Sequence, residues 1–187
     1  MRHTHSVTSI SWIPSEAMTG PMRLPMDLGI GHYDEAPPAR IDPDLLESLR
    51  ESDGLRFANR LEAWVEVVDG DIVDAGYSGA ALVGSTKAKL GVGSITFPGV
   101  GVPMLQAAPA RTPHGMRFVQ SAGGRTGSPF PRRIDRPPYV RITAPTAWTT
   151  LALTIGPDGA ASFEVVGASP FPRHWIYDSA GDLAAKS

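Results

Sequence analysis

Residues 61–77 read LEAWVEVVDGDIVDAGY, and this stretch decides the fold of the chain. Apolar side chains recur at every second position of its first part, at Leu61, Ala63, Val65 and Val67. This is the period of a strand with one buried face. The pair Asp69-Gly70 then precedes a second strand-like segment, and Asp-Gly between two such segments is a strong hairpin signal. We therefore predict an antiparallel hairpin with Asp69-Gly70 at its tip.

Short strand-like segments recur along the rest of the chain, separated by turns rich in glycine and proline. The further candidates are residues 7–13, 80–83, 86–90, 94–97, 116–121, 139–143, 148–155, 162–166 and 174–177. Residues 156–159 (GPDG) predict a second hairpin turn. Because crossover helices are missing between the strands, the pattern predicts a mainly β fold, either an antiparallel β-barrel or a sandwich. The barrel is the favoured form.

One short helix is predicted near the start of the chain. Asp42 has the character of an N-cap, Pro43 suits the first helical position, and an apolar stripe follows before Gly54 ends the pattern. The chain is then a single β-rich domain over residues 1–187. It comprises an N-terminal strand and long loop (1–41), a helix (42–53) and antiparallel strands (56–187).

The composition excludes several classes of protein. The chain has 187 residues, a net charge of −2 and no cysteine. A slightly negative net charge gives no reason to expect a nucleic acid as partner. The lack of cysteine excludes disulfides and thiolate chemistry. No signal-peptide pattern and no apolar run of roughly 18 residues occurs, so we expect a soluble cytoplasmic protein that does not enter a membrane. We predict no metal and no cofactor.

A glycine-rich segment offers a candidate anion site. Its residues have the character of a nest, in which glycines let backbone N–H groups converge while neighbouring side chains donate hydrogen bonds. The candidates are Gly123, Gly124, Arg125, Thr126 and Ser128. A mobile loop with a solvated basic face is at least as common an explanation of this pattern.

A five-residue sequence, SPFPR, occurs twice, at residues 128–132 and 169–173. Its plainer interpretation is a stiff connector whose phenylalanine, Phe130 or Phe171, plugs a barrel end. The more specific interpretation is that both copies present an arginine to a ligand, which adds Arg132 and Arg173 to the ligand-binding candidates. On that hypothesis Arg125, Arg132 and Arg173 lie at one end of the fold.

Two pairs of histidine and aspartate residues offer an alternative to anion binding. If a pair met in the mouth of a barrel, it could carry out acid–base chemistry. They are His32 with Asp34, and His174 with Asp178. Residues 76–80 (GYSGA) lack the final glycine of a serine-hydrolase elbow, so a strand bend or bulge is the better interpretation. No helix-turn-helix or zinc finger fits the sequence, so this chain alone is not expected to bind DNA.

Six segments together resemble the N-terminal region of a poorly characterised bacterial family. They are residues 10–17 (ISWIPSEA), 31–34 (GHYD), 56–59 (RFAN), 74–79 (DAGYSG), 123–127 (GGRTG) and 171–178 (FPRHWIYD). Longer members of that family resemble cyclic-nucleotide-binding, Crp/Fnr-like regulators. That label rests on a separate C-terminal module, which is not expected within this chain. The resemblance implies no catalytic residues.

The function that best fits these patterns is binding or regulation without catalysis. Arginine-bearing loops would accept an anionic small molecule or a segment of a partner protein. The alternative is a small enzyme that uses the His/Asp pairs described above.

Overall fold

The computed structural model describes residues 1–14, 34–52, 54–90, 92–125, 127, 130–144, 146–170 and 173–187. These residues form one helix and sixteen strands. In chain order they are β1 (Arg2–Trp12), α1 (Pro43–Glu51), β2 (Phe57–Val68), β3 (Asp71–Tyr77), β4 (Ala80–Val83), β5 (Ser85–Leu90), β6 (Gly93–Pro98), β7 (Val100–Gly101), β8 (Leu105–Gln106), β9 (Ala110–Thr112), β10 (Gly115–Arg125), β11 (Phe130–Arg133), β12 (Val140–Thr143), β13 (Thr146–Ile155), β14 (Ala161–Ala168), β15 (Arg173–Tyr177) and β16 (Leu183–Lys186).

The hairpin predicted at residues 61–77 is confirmed. Val68 of β2 pairs with Asp71 of β3, which leaves Asp69 and Gly70 as the two-residue loop. Both loop residues have positive φ, 51° and 85°, as a type I′ turn requires. The alternating apolar side chains from Leu61 to Val67 are all buried. The second hairpin is also confirmed, since Ile155 of β13 pairs with Ala161 of β14.

The predicted helix is confirmed as α1. The Asp42 side chain accepts a hydrogen bond from the Leu45 amide at 2.7 Å, and proline occupies the first turn. Leu46 is buried, and it packs with Ile10 and Tyr177 in a cluster between the helix and the strands. The helix therefore covers one face of a sheet, because its apolar stripe has to be removed from water.

Most strands belong to two antiparallel six-stranded sheets. Sheet I has the order β16-β15-β1-β2-β3, with β4 also paired to β2. Sheet II has the order β14-β13-β10-β7, with β8 and β9 also paired to β10. The two remaining pairs, β5 with β6 and β11 with β12, are two-stranded ribbons. Helix α1 lies on the face of sheet I that is turned away from sheet II.

The two sheets form a sandwich, and the barrel favoured from sequence is wrong. A core cluster combines buried residues of sheet I, such as Val65, with residues of sheet II, such as Phe118 and Leu151. Within the described residues, β16 and β3 are the edges of sheet I and β14 is an edge of sheet II. Face-to-face packing buries both apolar faces without closing a sheet into a barrel.

Each predicted segment overlaps a strand, and most of the strands are longer than predicted. Two ends are shorter, since β12 begins one residue after the start of segment 139–143 and β1 ends one residue before the end of segment 7–13. Residues 80–83 coincide with β4, and residues 78–79 form the predicted bend, since β3 and β4 both pair with β2. Five short strands were missed: β7, β8, β9, β11 and β16. Within the described ranges, no helix has both the length and the apolar character needed to cross a membrane.

Candidate functional site

A cavity of about 380 Å³ lies beside β15 and β16, next to the residues that follow β14. Trp175 forms part of its wall, and we name it the Trp175 cavity. Arg173 and Lys186 contribute two cationic side chains to the same wall, and Ser169 and Pro170 line it from the connection after β14. The cavity thus combines positive charge with an aromatic surface.

The indole of Trp175 is held by neighbours on two sides. Trp12 meets it edge-to-face, with ring centroids 5.4 Å apart and an interplanar angle of 81°. The Nζ atom of Lys186 lies 4.5 Å from the centroid of the Trp175 ring, which is within the range of a cation–π contact. These contacts fix the position of a cation at the cavity wall.

His174, next to Arg173 in the chain, is fully buried behind this wall. Its Nε2 lies 2.9 Å from the carbonyl oxygen of Ser169. Because a carbonyl oxygen only accepts, Nε2 must carry the proton. Nδ1 then accepts from the Ser11 hydroxyl at 2.8 Å. The ring therefore links β1 to the connection that lines the cavity.

The Ser169 side chain extends this link to sheet II. Its hydroxyl oxygen accepts a hydrogen bond from the Trp148 amide of β13 at 3.0 Å. Ser169 is itself buried, although it lines the cavity. Hydrogen bonds of His174 and Ser169 thus connect the two sheets at the end of the sandwich where the cavity lies.

Burial lowers the pKa of His174, because the charged imidazolium would lose its hydration inside the protein. The free energy of unfolding should therefore contain a contribution that is fully present above the unfolded pKa of about 6.5. This contribution should be lost as the pH falls from there through the lower pKa of the folded state. The free energy of unfolding then decreases with a slope approaching about 1.4 kcal/mol per pH unit.

This prediction is tested by chemical denaturation across this pH window together with an NMR titration of the His174 ring. His114→Gln is the control variant, because it removes an exposed imidazole and keeps the buried one. A His174 ring that titrates above pH 6.5 would contradict the prediction.

More buried polar side chains fill the same end of the sandwich interior. The Asn59 amide nitrogen donates to the Thr149 carbonyl at 3.0 Å, and the Gln120 amide nitrogen donates to the Asn59 side-chain oxygen at 2.7 Å. All three residues are buried. These bonds join β2, β10 and β13 inside the sandwich.

A buried ion pair lies at the end of β1. The Arg56 guanidinium bonds to Asp34 through Nη2–Oδ1 at 2.7 Å and Nε–Oδ2 at 3.2 Å. The two side chains are 1% and 0% exposed. Asp34 Oδ2 also accepts from the Ile13 amide at 2.7 Å, while Arg56 Nη1 donates to Thr86. The pair joins β1, β2 and β5 and is structural.

In the part of the predicted anion nest that the structure describes, the backbone forms a strand. Gly123, Gly124 and Arg125 lie in β10 and pair with residues 146–148 of β13, so they form a sheet rather than a convergent loop. The physical reason is close backbone approach, because a Cβ on Gly123 would lie 2.1 Å from the Ala147 oxygen. Thr126 and Ser128 lie outside the described residues.

The three arginines predicted to lie at one end of the fold, Arg125, Arg132 and Arg173, have different surroundings. Arg173 lines the Trp175 cavity. Arg125 is exposed, and its partner Thr146 lies two residues from Trp148, the residue that contacts Ser169. The backbones of Arg125 and Arg173 therefore lie at the same end of the sandwich. Arg132 belongs to β11, and its side chain is outside the described part, as are those of Phe130 and Phe171.

The predicted His/Asp pairs are not formed among the described residues. Asp34 is the partner of Arg56, and His32 lies outside the described residues. His174 contacts serines, whereas Asp178 Oδ1 accepts from the Ala180 and Asp182 amides. Four residues of nearly extended chain separate His174 from Asp178 by about 13 Å, too far for proton transfer between them.

Sequence reasoning missed two wall residues. Neither Trp175 nor Lys186 is among the candidate residues that the sequence predicts. The signal for Trp175 was its alternation with His174 and Ile176, which places its side chain on the opposite face of β15. Lys186 lies in β16, a strand that the sequence did not predict, and it pairs with Trp175 of β15.

Among the described residues, no three His, Cys, Asp or Glu side chains group as a metal site. Comparison of the chain with models of known protein families, with curated proteins and with solved structures found no match in any of the three.

Proposed function

We propose that this chain is a binding module that takes a small anionic ligand in the Trp175 cavity. The observation that carries the proposal is the convergence of Arg173 and Lys186 on one wall beside an aromatic ring. The volume of about 380 Å³ lies in the ordinary range of small-molecule sites. Arg173 is also the arginine of the second SPFPR sequence, so the sequence-based hypothesis and the cavity agree on this residue.

The two kinds of wall residue suit the two parts of such a ligand. Charge-assisted hydrogen bonds from Arg173 and Lys186 would hold a carboxylate or phosphate. Trp175 and Pro170 offer apolar surface to the body of the ligand, and burial of that surface adds affinity. The expected ligand is therefore an organic anion rather than an inorganic one.

The regulatory role suggested by the family resemblance is part of the proposal. The ligand would act as a signal whose binding stabilises the end of the sandwich where Ser169 and His174 join the sheets. We also propose a cytoplasmic location, since a chain without cysteine suits a reducing compartment.

The enzyme alternative has less support. Both ring nitrogens of His174 are engaged in hydrogen bonds, and the side chain has no exposed surface. A general base has to come within hydrogen-bond reach of its substrate, which this buried ring does not do in the structure.

Arg173→Ala should weaken the binding of an anionic ligand by at least about tenfold, because hydrogen bonds to charged groups are worth about 1.5–3 kcal/mol. The ligand comes from a thermal-shift screen of phosphorylated and carboxylated small molecules, and its affinity is then measured by calorimetry. Affinity should also fall as salt concentration rises.

Arg117→Ala is the matched control. Arg117 carries the same charge but pairs with Glu164 on sheet II at 3.0 Å, so its loss should leave the affinity unchanged. The proposal fails if no anion raises the melting temperature, or if Arg173→Ala binds as tightly as the original chain.

A further inference from the structure

An open edge of sheet II leads into the Trp175 cavity. Strand β14 ends at Ala168, and Ala168 lines the cavity beside Ser169 and Pro170. Among the described strands, β14 pairs only with β13, so its other side is an unpaired edge. A ligand that fills the cavity therefore has the backbone of this edge beside it.

Several residues of β14 direct their backbone N–H and C=O groups away from β13. At the hairpin turn the Gly156 amide donates to the Ala160 carbonyl at 2.8 Å, and bonded pairs alternate with non-bonded pairs along the ladder from there. At the other end the Ser169 amide donates to the Trp148 carbonyl at 2.9 Å. The residues at non-bonded positions, which face the open edge, are Ala161, Phe163, Val165 and Ala168.

Strand β14 lacks the features that protect exposed edges. It contains no lysine and no proline, and its one charged residue, Glu164, is paired with Arg117 at 3.0 Å. The edges of sheet I are better protected. Strand β3 carries two exposed aspartates, and the Leu183 amide of β16 donates to the Ala39 carbonyl at 2.8 Å. Of these three edges, β14 is the one suited to accept another strand.

Apolar side chains border the same edge. Phe163 and Val165 pack against the core between the sheets but remain partly exposed, as does Ala185 of β16. A strand added to β14 would remove more of this apolar surface from water, which favours binding. In recognition by strand addition, main-chain hydrogen bonds supply affinity and pockets for side chains supply specificity.

We propose that the anion bound in the Trp175 cavity is the carboxylate side chain of an extended peptide segment that adds to β14 as a further strand. This inference rests on the proposed function and deepens it by naming the class of ligand. The peptide backbone exchanges hydrogen bonds with the open edge, and an acidic side chain at one end of the segment pairs with Arg173 and Lys186. A small anion occupies only the part of this site that lies in the cavity.

The test uses the full chain and calorimetry. The probes are two short blocked peptides of alternating threonine and valine, one with glutamate at the amino end and one with glutamate at the carboxyl end. N-acetyl-glutamate α-amide is the small probe that carries the same carboxylate. One of the peptides should bind at least tenfold more tightly than the small probe, and its glutamine version should lose at least tenfold in affinity.

Methylated peptides test the strand pairing itself. An added strand uses every second amide on the side that faces β14. N-methylation of one alternate set of amides should therefore remove the gain in affinity, while N-methylation of the other set should preserve it. The proposal is overturned if neither peptide binds more tightly than the small probe, or if both methylated sets bind equally well.

Variants of the chain locate the peptide. Val165→Pro removes an edge-facing N–H that β13 does not use, so it should weaken peptide binding at least tenfold and leave the small probe bound. Val73→Pro, on the edge strand β3, is the control and should change neither affinity. If Val165→Pro does not fold, the methylated peptides decide the question.

The outcomes separate the two proposals. Arg173→Ala should weaken the small probe and the peptide alike, because both place a carboxylate in the cavity. A small probe that binds through Arg173 without any gain from the peptide would overturn strand addition and keep the anion site. If neither probe binds, both proposals fail.

Discussion

Asp34→Asn is expected to lower the free energy of unfolding by about 3–5 kcal/mol, the usual loss when one partner of a buried ion pair is removed. The substitution keeps the shape of the side chain but removes the carboxylate charge that pairs with the Arg56 guanidinium, which is 1% exposed. The bonds from Arg56 to Ser85 and Thr86 go to neutral oxygens and do not replace that charge. Chemical denaturation of the variant measures the loss.

The matched control is Asp182→Asn. Asp182 pairs with Arg40 at 3.7 Å, and both side chains are more than half exposed. An exposed pair contributes only about 0–1 kcal/mol, since water screens the charges. Similar losses in the two variants would contradict the structural role assigned to the buried pair.

Gly123→Ala is expected to destabilise the chain by about 3 kcal/mol or more, at the upper end of the range for overpacked cores. A Cβ at this position would lie 2.1 Å from the Ala147 oxygen and 2.6 Å from the Trp148 Cα, and both are backbone atoms of the paired strand. Neither atom moves without a shift of β13 against β10. The midpoint of denaturation measures this effect.

Ala161→Val is the control, because it adds carbon atoms at an exposed position of edge strand β14 and should cost little. The pair of variants also separates two explanations of the glycine-rich segment. If residues 123–124 formed an anion nest, Gly123→Ala would impair binding and spare the fold. A stable Gly123→Ala variant that loses affinity for anions would restore the nest hypothesis.

Local chemistry explains which parts of the fold were predictable. The Asp69-Gly70 turn and the Asp42 cap each depend on a few neighbouring residues, so short sequence patterns identify them. The choice between barrel and sandwich depends instead on pairings across the chain. One example is Thr8 of β1 with Tyr177 of β15. No local pattern encodes which distant strands become neighbours.

The same distinction applies to the candidate site. Arg173 was found because the SPFPR sequence is repeated. The link from Ser11 to His174 spans 163 positions, and the pair of Asp34 with Arg56 spans 22, so their partners are not apparent from spacing. Trp175 resembled a core residue because buried and wall-lining tryptophans have the same local sequence pattern.

The central claim, an anion site at the Trp175 cavity, is tested most directly by following the four tryptophan indole N–H signals by NMR during titration with the anion selected by thermal shift. The account predicts that the Trp175 signal shifts in proportion to binding. The signal of Trp64, which lies under Arg2 on a different part of sheet I, should stay in place. A titration that moves Trp64 and leaves Trp175 unchanged would contradict the account.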